Sequence, residues 1–345
     1  MPRERREPEY STKYMTTPSS AHILGLGFHV PEKILTNQDL EKLVDTNDES
    51  ITSRTGIRER REVEPGARAS DLALAASLKA LAAAGVQPAE LTHVICPTIT
   101  PDSYTPSASC VLEHKLGLSG VMAMDLNAAC SGFLYGLETA RAILALHPEA
   151  VVLVAATEVL SSRVNWSDRS TCVLFGDGAG AAIVSGKPRP GSGRIEDIVL
   201  RSDGAMGDFL TILGGGSARP YKLGEAVGED FFVQMQGRDV FKHAVRAMES
   251  VSREILDRNG LSVEQVDACV PHQANERIIE HVGKKLGIPG EKIFVNVGRY
   301  GNTSAASVPI ALTEAIEGGF VKQGDLVLLA AFGGGFTWGA ALLRF

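Results

Sequence analysis

The sequence predicts an α/β protein built from two duplicated halves, and three observations carry that expectation. Helical and buried-strand patterns alternate along most of the 345 residues. Four features of the first half recur in the same order in the second: the strand-to-proline junction at Pro97 recurs at Pro271, the strand-to-turn junction at Asn127 at Asn296, residues 152–156 at 327–331, and 180–184 at 339–343, with offsets of 174, 169, 175 and 159 residues. The length also exceeds what one small core organises, so two domains or one large double unit are expected. The halves are placed at 21–190 and 191–345, after an N-terminal tail of 1–20. Two such units are expected to pack together and to bring equivalent strand ends to one central site.

Composition excludes several classes. A hydrophobic fraction of 44% with 22% charged residues is that of a globular protein. The net charge of −7 argues against a general nucleic-acid or anionic-membrane role, and no apolar run is long enough to span a membrane. The tail mixes charges, prolines and hydroxyls without an apolar core, and reads as solvated chain rather than a secretion signal. Five cysteines, an odd number with no close pairing, argue against a disulfide framework and a zinc site, and for a reducing cytoplasm.

Residues 22–27 read as a short strand. Gly25-Leu26-Gly27 invites comparison with a dinucleotide fingerprint, but the third glycine is missing, so no nicotinamide site is expected. A helix from about Asn37 to Val44 leads into a basic run over 48–61, read as a solvated surface or as a grip on a phosphate-bearing ligand. Residues 69–84 are alanine-rich and helical, ending at Gly85. A strand over 92–96 stops at Pro97, and a helix follows over 107–116. Residues 121–126 form an apolar segment, 151–156 a strand buried on both faces, and 176–184 a glycine turn into a strand. Beyond a glycine-rich loop at 214–228, helices are expected at 237–259 and 276–286, and strands at 268–270, 293–297 and 326–331.

Cys130 stands where the strand ending at Leu126 hands over to a helix, whose apolar face is Phe133, Leu134, Leu137, Ala140, Ile143 and Leu144. Free N–H groups and the helix dipole there favour a thiolate, so a lowered pKa and a nucleophilic role are expected, although a lone cysteine is more often a small buried hydrophobe. His272 follows a strand of the second half, and Asn302 lies in a turn taken as equivalent to that of Cys130. All three sit beyond the C-terminal ends of strands, where α/β folds bind ligands, and together they make a nucleophile with two polar partners. Alone, His272 is a structural histidine and Asn302 a turn residue. The loop Gly333-Gly334-Gly335 is either a simple hairpin or a bare backbone that forms an oxyanion hole with the N–H of Cys130.

The motifs at 127–133, 175–182, 272–275, 301–309 and 332–339 resemble those of 3-oxoacyl-[acyl-carrier-protein] synthase III, within the thiolase-fold condensing enzymes, in the family's order and from about residue 21 to 345. Asn302 is similar to the type III group, whereas elongating synthases carry a second histidine there and thiolases a second cysteine. The resemblance implies a thiolase-like five-layer α-β-α-β-α arrangement and an acyltransferase of type II fatty acid synthesis. It implies that Cys130 takes the acyl group from an acyl-CoA, that the N–H groups of Cys130 and Gly334 hold the oxyanion, and that malonyl-acyl-carrier-protein then loses carbon dioxide. His272 and Asn302, as neutral donors, would stabilise the enolate. Phe332 would shield the site and Ser304 support the pocket. No metal and no cofactor beyond these substrates is implied.

By the same resemblance Arg54 and Arg169 frame the adenine and phosphate end of CoA, but Ser50 replaces the family's usual tryptophan and cannot stack on adenine. Thr105 aligns with a position supplied across a homodimer interface, where a bulky phenylalanine shortens the acyl pocket in some members; the smaller threonine implies a roomier channel. Arg277, Lys284 and Lys285, with Arg58 and Arg60 near the same entrance, are candidates to dock an acidic carrier protein, or are solvated charges. Three rival readings stand beside this one. A type III-like acyltransferase or condensing enzyme of secondary metabolism is favoured only by Ser50. A papain-like Cys-His-Asn hydrolase lacks the duplication, and a silent heterodimer partner would lack Cys130.

Overall fold

The computed structural model describes residues 20–345, and the tail expected over 1–20 lies outside them except for Ser20. β1 (His22–His29) is followed by a small ribbon, β2 (Ile34–Thr36) with β3 (Glu59–Arg61), whose strands flank α1 (Asn37–Leu40) and α2 (Asp48–Thr55). Then come α3 (Ala69–Ala84), β4 (His93–Pro97), α4 (Ala108–Lys115), β5 (Met122–Leu126), α5 (Gly132–Leu146), β6 (Val151–Glu158) and β7 (Gly178–Ser185). The second half runs β8 (Gly193–Ser202), a ribbon of β9 (Leu210–Thr211) with β10 (Gln234–Met235), α6 (Gly237–Arg258), β11 (Ala268–Pro271), α7 (Glu276–Leu286), α8 (Val297–Tyr300), α9 (Ser307–Glu317), β12 (Leu326–Gly333) and β13 (Thr337–Arg344).

The large sheet has the order β5-β4-β6-β7-β1-β8-β13-β12-β11. Its two wings mirror each other about the short β1–β8 pairing at His22–Arg194 and Ile23–Gly193. In each wing an antiparallel hairpin, β6–β7 or β12–β13, is flanked by a parallel strand, β4 or β11. α3 and α4 cover the outer face of the first wing, where a core of Leu72, Ala76, Ala80, Leu112, Leu153 and Ile183 forms. α6 and α7 cover the outer face of the second, around Val245, Met248, Ile255, Leu328 and Leu342. α5 and α9 fill the middle and share one core with the inner faces of both wings, through Phe133, Leu137, Val154, Val308, Leu312 and Leu329. The result is the five-layer thiolase-like arrangement, in which the helices of the middle layer are the two that follow the nucleophile turn and its counterpart.

Gly25 and Gly27 have a packing reason rather than a ligand: a Cβ on either would stand 2.4 Å from the backbone N of Ala84 or Ala80, so α3 lies directly on β1.

Several expectations are corrected. β8 lies between 191 and 213, where the sequence reading assigns no element; Arg194, Glu196, Asp197 and Arg201 interrupt its apolar residues. The strand expected at 293–297 is a single bridge, Ile293 to Cys269, and Val297 already begins α8. The counterpart of Asn127 is Asn302 rather than Asn296, since the 3-10 turns Ala129–Ser131 and Ser304–Ala306 match residue for residue and both open on a positive φ, 45° at Ala129 and 49° at Ser304. The counterpart of Cys130 is therefore Ala305. The helix expected to Val44 ends at Leu40, and the basic run is ordered into α2 and β3. Its Arg60 is buried, donating to Leu35 O, Asn37 Oδ1 and Val173 O, so it is a brace rather than a docking charge.

Candidate active site

Cys130 occupies the middle of the 3-10 turn between β5 and α5, with 6% of its surface exposed. The turn is clamped from two sides. Asp125 at the end of β5 accepts from the N–H groups of Ala108 and Ser109, both at 2.8 Å, which fixes the strand to α4. Across the middle of the molecule, Thr337 Oγ1 donates to Ala128 O at 2.7 Å and Ser131 Oγ donates to Thr337 O at 3.1 Å, which fixes the turn to the β12–β13 hairpin. Gly333 makes the closest approach: a Cβ there would lie 2.5 Å from Cys130 N. Only a glycine lets the hairpin backbone come this near.

His272 continues β11, its N–H donating to Ala330 O at 2.8 Å. Its ring is buried, and Nδ1 pairs with Ser307 Oγ at 2.5 Å. Burial pushes the imidazole pKa down to about 3, so the ring is neutral at any working pH. Asn302 is anchored at both ends of its backbone, by Leu174 O and by the N–H of Gly176. Its Oδ1 accepts from Ser304 N–H at 2.9 Å, which turns the amide nitrogen outward as the end with donors to give. Gln273, buried beside His272, ties the strand end to Phe294, Asn296 and Val297.

Cys130, His272, Asn302 and Phe332 line one narrow cavity of about 90 Å³, whose other walls include Phe175, Met235, Val240 and Phe241. Cys130 also opens on a wider cavity of about 710 Å³, bounded by Ile99, Leu160, Ser304, Gly334 and Gly335. The cysteine thus stands where two cavities meet. Thr105 lies on an exposed loop and lines neither of them, although its neighbours from Ile99 to Tyr104 line the wider one.

The thiol is not the low-pKa group that its place before a helix suggests. Burial pushes it up to about 12, with the charge of Glu158 adding to the rise, against a smaller lowering by Ser304. One turn of 3-10 helix in a dry setting does not offset the loss of water around a thiolate.

The remaining expected residues are outside both cavities. Ser50 and Arg54 are four apart on α2 and share a face, and the Arg169 guanidinium donates to Asp45 O at 2.9 Å just ahead of that helix. Arg58 is exposed. Arg277, Lys284 and Lys285 are exposed on α7; Lys285 pairs with Glu249 at 3.2 Å, and Arg277 stands over the ring of Phe241, a cavity wall. Ser307, Gly333 and Glu158 are the site residues to which the sequence reading gives no role of their own. Gly333 was visible as the first of a glycine run, whereas no spacing signals the pairing of His272 with a serine 35 residues on.

Comparison with known proteins identifies the family. The family model described as 3-oxoacyl-[acyl-carrier-protein (ACP)] synthase III matches residues 124–204, and its C-terminal companion matches 256–345. The beta-ketoacyl-[acyl-carrier-protein] synthase III of Oleidesulfovibrio alaskensis is 60% identical over 331 residues, covering 96% of this chain and 100% of that protein. The crystal structure of 3-oxoacyl-[acyl-carrier-protein] synthase III from Aquifex aeolicus superposes with a TM-score of 0.85 at 45% identity, over 94% of this chain and 100% of that one. The Thermus thermophilus synthase III structure gives 0.86 at 41%, over 94% and 98%. The chain belongs to the beta-ketoacyl-[acyl-carrier-protein] synthase III family and is an acyltransferase, a condensing enzyme of the initiating step of fatty acid synthesis.

Proposed function

We propose that the condensation runs through an acyl group carried on Cys130, transferred from an acyl-CoA and passed to malonyl-acyl-carrier-protein with loss of carbon dioxide. The observation that carries this reading is the convergence of Cys130, His272 and Asn302 on one cavity from three separate stretches of chain. The N–H groups of Cys130 and Gly334 are assigned to the oxyanion of the tetrahedral intermediate, a role suited to the contact of the glycine hairpin with the Cys130 turn. His272 and Asn302 then act as neutral donors to the enolate. A carboxylate leaving as carbon dioxide needs no strong general base, which fits a histidine held neutral. Phe332 shields the site where the malonyl carboxylate leaves, and Ser304 supports the wider cavity, which we assign to the acyl chain.

The narrow cavity is assigned to the arm of the acyl carrier. Arg54, whose carbonyl accepts from Asn275 of the cavity wall, and Arg169 are assigned to the nucleotide end of CoA, without the stacking that Ser50 cannot give. Arg277, Lys284 and Lys285 are the proposed docking charges for the carrier protein. A homodimer, in which Thr105 reaches the partner's acyl cavity, completes the reading, with no cofactor beyond the two substrates. The boundary of the halves is set at 190/191, in the loop between β7 and β8, and the cytoplasm is the proposed location, in keeping with five cysteines that are all free thiols. A secondary-metabolite synthase is the less favoured reading, since the near full-length relatives are named beta-ketoacyl-[acyl-carrier-protein] synthase III.

Intact-protein mass spectrometry after incubation with acyl-CoA tests this. A single acyl adduct is expected on the native protein and none on Cys130→Ala; absence of an adduct from the native protein overturns the mechanism.

A further inference from the structure

Arg163 closes the 3-10 turn Leu160–Arg163 that follows β6, and it lines the wider cavity together with Cys130. Its main chain is fixed, since the carbonyl accepts from Val233 N–H at 2.8 Å and Val233 belongs to the same cavity wall. The guanidinium carbon lies 4.0 Å over the centre of the Phe231 ring, which seats the planar cation on an aromatic face. The head group is thus held in place, but its donors are not satisfied.

Among the described residues no acceptor meets the N–H groups of this half-buried side chain, and Nη1 is buried without a hydrogen bond. Three other arginines also have a buried nitrogen without a hydrogen bond, and each is compensated elsewhere on its head group. Arg60 donates to three oxygens, Arg61 pairs with Glu59 at 3.3 Å and Arg141 with Glu138 at 3.4 Å. Arg163 has neither a carboxylate nor a carbonyl. Two carboxylates line the cavity with it, and neither answers it. Asp102 accepts from the Ser70 N–H at 2.9 Å and the Ser70 hydroxyl at 2.6 Å, and Asp208 is exposed and not paired with Arg163. Taking a guanidinium out of water without an acceptor is costly, and the chain carries that cost on the wall of a cavity that opens on its nucleophile.

The rest of the wall says what kind of molecule would meet it. Leu160, Leu210, Ile212 and Val233 are apolar and suit methylene groups, and a cavity of about 710 Å³ is far larger than an acetyl group fills. We propose that Arg163 is a specificity residue of this cavity, which takes acyl groups ending in a carboxylate, the monothioesters of short dicarboxylic acids. The inference rests on the wider cavity holding the acyl group carried on Cys130. The thioester carbonyl lies at Cys130, the methylenes run along the apolar wall, and the distal carboxylate meets the guanidinium through paired N–H···O bonds, the geometry that a planar fork favours. An acyl end that a purely apolar channel would reject is here the end that is held. Arg163 binds substrate without touching the reacting atoms.

The test compares donors matched in chain length, glutaryl-CoA against valeryl-CoA and adipyl-CoA against hexanoyl-CoA, by the rate of adduct formation on Cys130 below saturation, read by rapid quenching and intact mass. In wild type the dicarboxylic member of at least one pair is expected to react about tenfold or more faster, and Arg163→Met is expected to lose that preference. Arg163→Lys, which keeps the charge and loses the fork, is expected to keep the order with a smaller ratio. Each ratio is taken within one protein, so a general loss of activity in a variant leaves it readable, and if Arg163→Met does not fold the wild-type ratio decides alone. A wild type that takes the monocarboxylic member of both pairs equally well or faster overturns the proposal, and so does an Arg163→Met protein that keeps the wild-type preference. In either case an adduct from valeryl-CoA or hexanoyl-CoA leaves Cys130 standing as the nucleophile, whereas no adduct from any of these donors removes the reading beneath it.

Discussion

The turn at 127–133 and its counterpart at 302–308 follow the same backbone course and do opposite work. Both follow a connection from the sheet, both enter a 3-10 turn on a positive φ, and both launch a helix into the shared core. The first presents a thiol to two cavities, and the glycine hairpin of the second half lies on its amide. The second presents no nucleophile, since Ala305 stands where Cys130 would, and the strand packed on it ends in the buried Glu158 where the other ends in Gly333. What it offers instead is Asn302, one turn earlier, and Ser307, one residue into α9, as the partner of His272. Duplication thus supplied two like turns: one keeps a glycine beside it and stays open, and the other is closed by the buried Glu158.

The most damaging way to erase this difference is to put a side chain at the open turn, where the closed one already has one. In Gly333→Ala the new Cβ would stand 2.5 Å from Cys130 N and 3.1 Å from Cys130 Cβ, so the turn or the hairpin must move. Losing one oxyanion donor costs about 10²–10³ in rate, and displacing a nucleophile by an ångström costs about 10². Acyl-enzyme formation should therefore fall by about a thousandfold, measured by the mass of the adduct over time. Acylation at the wild-type rate would mean that the open space at Gly333 is not what separates the two turns.

A smaller effect sharpens the division of labour between the turns. His272→Ala and Asn302→Ala remove donors assigned to the enolate, not to the acyl-enzyme. Release of carbon dioxide from malonyl-acyl-carrier-protein should drop by about a hundredfold, while the adduct on Cys130 slows far less. Because burial holds His272 near 3, wild-type decarboxylation should show no inflection from a histidine near its ordinary 6.5. Equal loss in both half-reactions would show that His272 and Asn302 serve the nucleophile itself.

How far the sequence reports this site depends on whether a residue's environment is local or assembled. The helix over 69–84, the buried strands β6 and β12 and the position of Cys130 after β5 follow from apolar period and turn residues a few positions apart, and they were legible. The same pattern located His272 at a strand end. β8 was not legible, because its Arg194, Glu196 and Arg201 break the apolar run while its neighbours in space, β1 and β13, come from both ends of the chain. Nor was the protonation of Cys130: the helix start is written beside it, but the burial that outweighs it and the charge of Glu158 come from other layers. Arg60 misled for the same reason, since a basic run reads as solvated until Asn37, Leu35 and Val173 close over one of its members.

The smallest expected effect concerns stability, and it sets the closed turn against folding itself. The Glu158 pKa of about 7 lies above the 4.5 of the unfolded chain, because burial disfavours the charged form more than its hydrogen bonds favour it. Below pH 4.5 the carboxyl is protonated in both states. Between 4.5 and 7 the folded state keeps a proton that the unfolded state has released, so the stabilising contribution is progressively lost as pH rises through 7. His272 works in the opposite sense, since its folded pKa near 3 lies below the unfolded 6.5 and its contribution is lost as pH falls. Comparing wild type with Glu158→Gln cancels the histidine. The variant should match wild type in acid and gain on the order of 2 kcal/mol above neutral pH, less than the full linkage value because a glutamine amide satisfies fewer of the surrounding donors. Denaturant unfolding at several pH values reads this directly, and a variant that loses stability at pH 8 would mark the carboxylate as a structural brace.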